Sequence, residues 1–216
     1  MRVTDPTFPL MAMSRHRIQT DGQGVTTLVC AWGCPLRCAL CINQFCHDAS
    51  TTIRRVTPDQ LYETTRVDDL YFQATGGGVT FGGGEPLLHA GFIAAFRALC
   101  GDAWRLRAET SLYVDAALVT QAAACVDEFF VDIKDTDPAI YERYTGLSVG
   151  PVMDNLGRLL DLVGPDRVTV RVPSIPGYNA PDDVSRSVDR LKRMGVTRLD
   201  LFDYIIPASR ERPSGA

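Results

Sequence analysis

The segment Cys34-Pro-Leu-Arg-Cys38-Ala-Leu-Cys41 sets three thiols in a C-x3-C-x2-C spacing, with Gly33 and Pro35 supplying a turn in which they can converge. A fourth thiol, Cys46, falls within the same thirteen residues. In a chain that opens without a secretion signal such crowding speaks for a metal centre rather than a disulfide framework, because cytosolic thiols are kept reduced. Two metal chemistries fit. A four-iron cluster held by Cys34, Cys38 and Cys41 alone would leave one iron open to a reactive ligand. Structural zinc would want four ligands, for which Cys38, Cys41, Cys46 and His47 are at hand. Cys30, Cys100 and Cys125 lie in apolar surroundings and read as small buried hydrophobes.

Other residue groups could serve such a centre. Gly82, Gly83 and Gly84, just before Glu85, would let a ligand approach bare backbone, or would simply make a tight turn. Glu109, Thr110, Asp132 and Lys134 could together bind hydroxyls, a carboxylate or a cation; a salt bridge of Lys134 with Asp132 or Glu109 is the other reading. Arg171, inside an apolar run, would be costly to bury without an anionic partner, whether a ligand's carboxylate or an acidic side chain.

The elements that must position these residues alternate regularly. Six strands are predicted, over Thr26 to Ala31, Gly78 to Phe81, Arg105 to Glu109, Glu128 to Ile133, Val168 to Val172 and Arg198 to Tyr204. Between them, Thr57-Pro-Asp-Gln60 carries the cap, first-turn Pro and Gln that start a helix. Phe92, Phe96, Leu99 and Cys100 recur at helical spacing, Gly150-Pro151 and Gly164-Pro165 bracket another helix, and Pro181-Asp-Asp183 opens one that Gly195 ends. Alternation of this kind implies parallel pairing with right-handed crossovers. The chemistry-bearing residues all fall just after strands, where (β/α) barrels gather function. The predicted fold is therefore an α/β, incomplete (β/α)6 barrel open on one side.

At 216 residues, 45% of them hydrophobic, the chain suits one domain spanning residues 1–216, with its core at about 20–206. Net charge is −4, and since Lys stands only at 134 and 192, the other 20 of the 22 basic residues are Arg, scattered rather than striped. Nucleic acid is thus not an expected partner. No apolar run approaches the ~18 residues a membrane span needs, so a soluble, cytoplasmic protein is expected.

Five blocks carry a family resemblance. Asp21-Gly-Gln-Gly24, followed by Ala31-Trp-Gly-Cys-Pro-Leu-Arg-Cys-Ala-Leu-Cys-Ile-Asn43, resembles the opening of the radical S-adenosylmethionine superfamily, specifically its glycyl radical enzyme activases. Val79 to Pro86, Val131 to Lys134, Tyr144-Thr-Gly146 and Arg171 to Asn179 resemble later blocks of those activases in order and spacing.

The resemblance implies one [4Fe–4S] cluster on Cys34, Cys38 and Cys41, and S-adenosylmethionine as its ligand. It places Gly83, Gly84 and Glu85 at the methionine amino group, and Glu109, Thr110, Asp132 and Lys134 near the S-adenosylmethionine, with Lys134 as a point charge for its carboxylate. Arg171 is a second carboxylate contact or a structural ion pair. Asp21 is a candidate contact to the glycine-bearing peptide of a partner enzyme, or a plain turn residue.

The implied activity is reductive cleavage of S-adenosylmethionine to a 5′-deoxyadenosyl radical, with electrons from a flavodoxin- or ferredoxin-type donor, to install a glycyl radical in a partner. Ile42, Leu40 and Thr26 depart from the activase pattern, as does Ile205 where a His is usual. With the short tail beyond Tyr204 they keep a small-molecule substrate open as an alternative, and a zinc-stabilised binding module is a third.

Overall fold

The computed structural model describes Pro6 to Tyr204. Eight strands form one sheet: β1 (Phe8–Ile18), β2 (Val25–Ala31), β3 (Arg54–Val56), β4 (Gly78–Gly83), β5 (Arg105–Thr110), β6 (Glu128–Asp132), β7 (Val168–Ser174) and β8 (Arg198–Asp203). Their order is β3-β1-β2-β4-β5-β6-β7-β8. From β2 through β8 every pairing is parallel. Seven α-helices, α1 (Pro58–Thr65), α2 (Asp69–Thr75), α3 (Ala90–Cys100), α4 (Ala116–Ala123), α5 (Pro138–Thr145), α6 (Gly150–Val163) and α7 (Pro181–Arg193), fill the crossovers.

The six predicted strands are the six parallel ones, and the array is the incomplete (β/α)6 barrel: β3 and β8 end the sheet and do not pair with each other among the described residues. Two strands were not foreseen. β1 and β3 pair antiparallel ahead of β2. β1 reads poorly as a strand because it holds Pro9 and two methionines, and its register slips where His16 takes a φ of +57°.

Burial explains the array. Val79 and Phe81 of β4, Leu106 and Ala108 of β5, Phe129 and Val131 of β6, and Val168, Val170 and Val172 of β7 are essentially inaccessible, as strands covered on both faces should be. Phe8, Phe81, Phe92, Phe96 and Trp104 pack edge-on or tilted with ring centroids 5.1–6.5 Å apart and join β1 and β4 to α3. The expected start of α1 is present: Thr57 Oγ1 accepts from Gln60 N while Gln60 Oε1 accepts from Thr57 N. β8 is mostly exposed and forms the open edge. Among the described residues no helix is long and apolar enough to cross a membrane.

Candidate functional site

The cysteine loop leaves β2 at Ala31 and is laced in place by backbone hydrogen bonds from several directions. Trp32 N donates to Pro9 O (2.8 Å), Gly33 N to Cys46 O (3.0 Å), Arg37 N to Thr145 O (2.9 Å) and Ala39 N to Tyr144 O (2.9 Å). β1, the turn at 44–47 and the C-terminal end of α5 therefore fix its path. Cys34, Cys38 and Cys41 line one cavity of about 480 Å³, a volume in the range of ligand sites.

Burial, reinforced by Glu85, pushes the Cys34 thiol up to about 12. Burial pushes Cys38 up to about 11 although Lys134 pulls the other way. Unaided, these thiols stay protonated near neutrality, and a metal would have to displace the protons. The donor atoms of Cys41, Cys46 and His47 lie within 4.8 Å of one another. Cys34 and Cys38 both lie outside that group, and Arg37 is hydrogen-bonded to His47. Of the remaining cysteines, Cys30 and Cys100 are buried as expected, while Cys125 is half-buried.

The end of β4 forms the opposite rim. Gly83 has a φ of +88°, and a Cβ built on it would come within 2.7 Å of Cys30 Cβ; one on Gly84 would meet Gly33 O at 2.2 Å. Only bare backbone fits here. Gly84 N donates to Ala31 O, Glu85 N to Gly33 O and Asn43 Nδ2 to Gly83 O, so the glycine turn and the cysteine loop are one unit.

Glu85 stands behind this rim, fully buried, and does not line the cavity. Its Oε1 accepts from Thr110 Oγ1 (2.6 Å) and Leu87 N (3.1 Å), and its Oε2 from Ser111 N (2.9 Å) and Ser111 Oγ (2.7 Å). Burial raises its pKa against those hydrogen bonds.

Five more expected residues line the cavity from the C-terminal ends of successive strands: Glu109, Thr110, Asp132, Lys134 and Arg171. Lys134 Nζ lies 3.0 Å from Asp132 Oδ2 and over the Tyr204 ring at 5.9 Å. Burial works against its charge, but Asp132 and Tyr204 more than offset that, and its pKa stands above the ordinary lysine value. Arg171 Nη1 bonds Glu109 Oε1 at 2.8 Å, its Nε is 3.6 Å from Asp200, and its guanidinium lies over Phe130 at 4.7 Å. Of the two readings for Arg171, an ion pair is present. Both Glu109 and Lys134 thus hold acidic–basic partners within reach of the cavity.

Asp21 does not line the cavity. Its side chain is buried, takes Arg17 in a two-pronged pair at 2.5 and 2.7 Å, and accepts from Thr26 Oγ1 at 3.3 Å. Arg17 sits opposite Thr26 in the β1–β2 register, so a guanidinium from the neighbouring strand stands beside the position where activases carry an Arg. Ile205 lies outside the described residues.

Several lining residues were not foreseen. Asp200, Phe202 and Tyr204 reach the cavity from β8 and its end; their i, i+2, i+4 spacing was the available signal. Ser111, directly after Glu109-Thr110, also lines it. Three buried side-chain polar atoms find no hydrogen-bond partner among the described residues: Arg107 Nη1 and the hydroxyls of Tyr141 and Tyr144.

The chain resembles known proteins in both sequence and fold. It is 34% identical over 127 residues to the (2S)-3-sulfopropanediol dehydratase activating enzyme of Klebsiella oxytoca, spanning 58% of this chain and 39% of that one. It is 27% identical over 205 residues to the pyruvate formate-lyase-activating enzyme of Listeria monocytogenes, spanning 88% of this chain and 80% of that one. The matches to the sulfopropanediol enzyme and to an indoleacetate decarboxylase activating enzyme of Tractidigestivibacter scatoligenes cover little more than a third of those relatives' length, 39% and 34%. In fold, it superposes with a TM-score of 0.62 on SuiB of Streptococcus suis, at 14% identity, covering 82% of this chain and 38% of SuiB. The family profile described as "Radical SAM superfamily" matches residues 29–191, from β2 through α7 and across the cysteine loop, the glycine turn and the charged rim. With its six parallel strands, three cysteines lining one cavity and that match, the chain belongs to the radical S-adenosylmethionine superfamily, a membership that implies an iron–sulfur cluster and S-adenosylmethionine.

Proposed function

We propose that this chain acts as a single catalytic domain that reductively cleaves S-adenosylmethionine and passes the radical to a glycine in a partner enzyme. The observation that carries the reading is the convergence of Cys34, Cys38 and Cys41 with Gly83, Gly84 and Lys134 on one cavity, in a chain whose curated relatives include activating enzymes. Cys34, Cys38 and Cys41 would hold one [4Fe–4S] cluster, since three thiolates leave one iron for the ligand. When bound and reduced by the external donor, the cluster would supply the one electron that S-adenosylmethionine accepts at its sulfonium, the chemistry that splits S–C5′ into methionine and a 5′-deoxyadenosyl radical.

The protein's own residues bind and orient. The bare Gly83–Gly84 backbone receives the methionine amino end, and Glu85 holds Thr110 and Ser111 at that rim. Lys134, kept charged by Asp132, offers its ammonium to the methionine carboxylate, with Arg171 as the second cation on that side. Glu109, Thr110 and Asp132 present acceptors for the ribose hydroxyls. Asp21 would touch a substrate peptide only on parting from Arg17, so its role is to hold the β1–β2 turn against the barrel until a partner docks.

The test is anaerobic reconstitution with iron and sulfide, reduction, and addition of S-adenosylmethionine with a candidate glycyl radical enzyme and a flavodoxin- or ferredoxin-type donor. A glycyl doublet in the partner's electron paramagnetic resonance spectrum, with 5′-deoxyadenosine formed in equal amount, is the expected result. If 5′-deoxyadenosine forms only with a small metabolite, the partner reading fails while family membership stands. Stoichiometric zinc without sulfide overturns the cluster.

A further inference from the structure

The wall that faces the cysteine loop from α5 holds a feature that S-adenosylmethionine binding does not use. Tyr141 and Tyr144 stand one helical turn apart on one face of that helix, 0% and 1% exposed. Neither hydroxyl makes a hydrogen bond of good geometry among the described residues, the Tyr144 hydroxyl having only that of Tyr204 close by, and a buried hydroxyl left unbonded is destabilising. The same end of α5 accepts Arg37 N and Ala39 N through Thr145 O and Tyr144 O, two bonds that flank Cys38 on either side. The Tyr144 ring sits edge-on to Tyr178 at 4.9 Å and to Tyr204 at 6.4 Å, and Tyr204 lines the cavity with the cysteines. The two phenols are therefore enclosed between helix, cysteine loop and cavity.

We infer that Tyr141 and Tyr144 are positioning residues that donate hydrogen bonds to the sulfur shell of the cluster on the side of Cys38, whose two flanking amides are held by the end of α5. This rests on the three-cysteine cluster proposed above. The chemistry of the donor set fits. A neutral phenol is a hydrogen-bond donor, whereas the sulfurs of a loaded cluster are acceptors only. Hydrogen bonds to cluster sulfurs favour the more negative, reduced state and so raise the reduction potential. The protein would thereby set how readily its donor reduces the centre.

The experiment compares reconstituted wild type with Tyr141→Phe, Tyr144→Phe and the double variant, all without S-adenosylmethionine. In a potentiometric titration followed by electron paramagnetic resonance, the double variant is expected to shift the reduction equilibrium about tenfold toward the oxidised cluster, which is about 59 mV for a one-electron couple. Electron–nuclear double resonance should show the loss of deuterium-exchangeable proton couplings to the cluster. Thermal unfolding of the iron-free protein should stay the same or rise, because the phenylalanines remove unbonded hydroxyls; a merely structural tyrosine pair would lower it. An unchanged potential and unchanged proton couplings in a double variant of wild-type iron and sulfide content overturn the inference. If the wild type itself takes up no iron and sulfide, it is the cluster assignment that has failed, and the inference falls with it.

Discussion

On the β4–β5 side of the cavity, Glu85 is completely buried and both its oxygens are used twice, by Thr110, Ser111 and Leu87. On the α5 side, Tyr141 and Tyr144 are as deeply buried, yet their hydroxyls make no hydrogen bond of good geometry among the described residues. One wall is satisfied by the protein alone. The other carries donors left without a well-formed bond, although both walls adjoin the cysteine loop. Burial by itself therefore says little about function; the state of the hydrogen-bonding ledger at each buried group separates scaffold from ligand-facing residues.

The largest expected effect falls on the thiol side. Replacing Cys34, Cys38 or Cys41 by Ala should abolish iron uptake and the associated visible absorption, because each removes one of the three thiolates that would hold the cluster. Cys46→Ala should leave uptake intact. Equal loss on replacing Cys46 would mean that the Cys41, Cys46 and His47 group, not the three-cysteine loop, holds the metal.

Next in size is the scaffold side. Glu85→Ala leaves Thr110, Ser111 and Leu87 donors without their acceptor and should destabilise the iron-free protein by about 3–5 kcal/mol in denaturant unfolding. An unchanged midpoint would break the comparison and return Glu85 to a purely ligand-binding role. The charge on Glu85 gives a pH signature. Its folded-state pKa is raised above 4.5, so ionisation opposes folding. Its contribution is harmless below about 4.5 and becomes increasingly destabilising as pH rises through the folded value. Glu85→Gln should flatten that fall in stability, as measured by unfolding across pH 4 to 8.

Smaller effects belong to the rim. Lys134→Ala is expected to weaken S-adenosylmethionine binding about tenfold or more without loss of iron, since charge-assisted contacts contribute ~1.5–3 kcal/mol. Titration of the cluster spectrum measures this. Asp200→Asn, at a half-exposed side chain 3.6 Å from Arg171, should alter the same affinity by less than about threefold.

Much of this architecture was legible in the amino-acid order, for a physical reason. Parallel strands covered on both faces are short, largely apolar runs, as β2, β4, β6 and β7 are, while β5 alternates Leu106 and Ala108 with charged residues. The thiols were legible because all three lie within one turn of chain. β1 and β3 were not, since Pro9, Met11 and Met13, or Arg54 and Arg55, become strand only through pairing with a partner already formed. Nor was the pairing of Asp21 with Arg17, which depends on the antiparallel register of β1 and β2. The unbonded state of Tyr141 and Tyr144 is a property of the assembled interior, and no spacing announces it.

The two backbone bonds from Arg37 and Ala39 to the end of α5 also bear on how the centre is made. Thr145 follows Cys41 by 104 residues, since 145 − 41 = 104. At a synthesis rate of ~5–20 residues per second, the cysteines emerge from the ribosome roughly 5–20 s before the helix that pins their loop. During that interval the thiols lie on chain that α5 does not yet pin, open to oxidation and to stray metals. The site is thus closed by the second half of the chain, and iron delivered after that half has folded meets a loop whose backbone is already fixed.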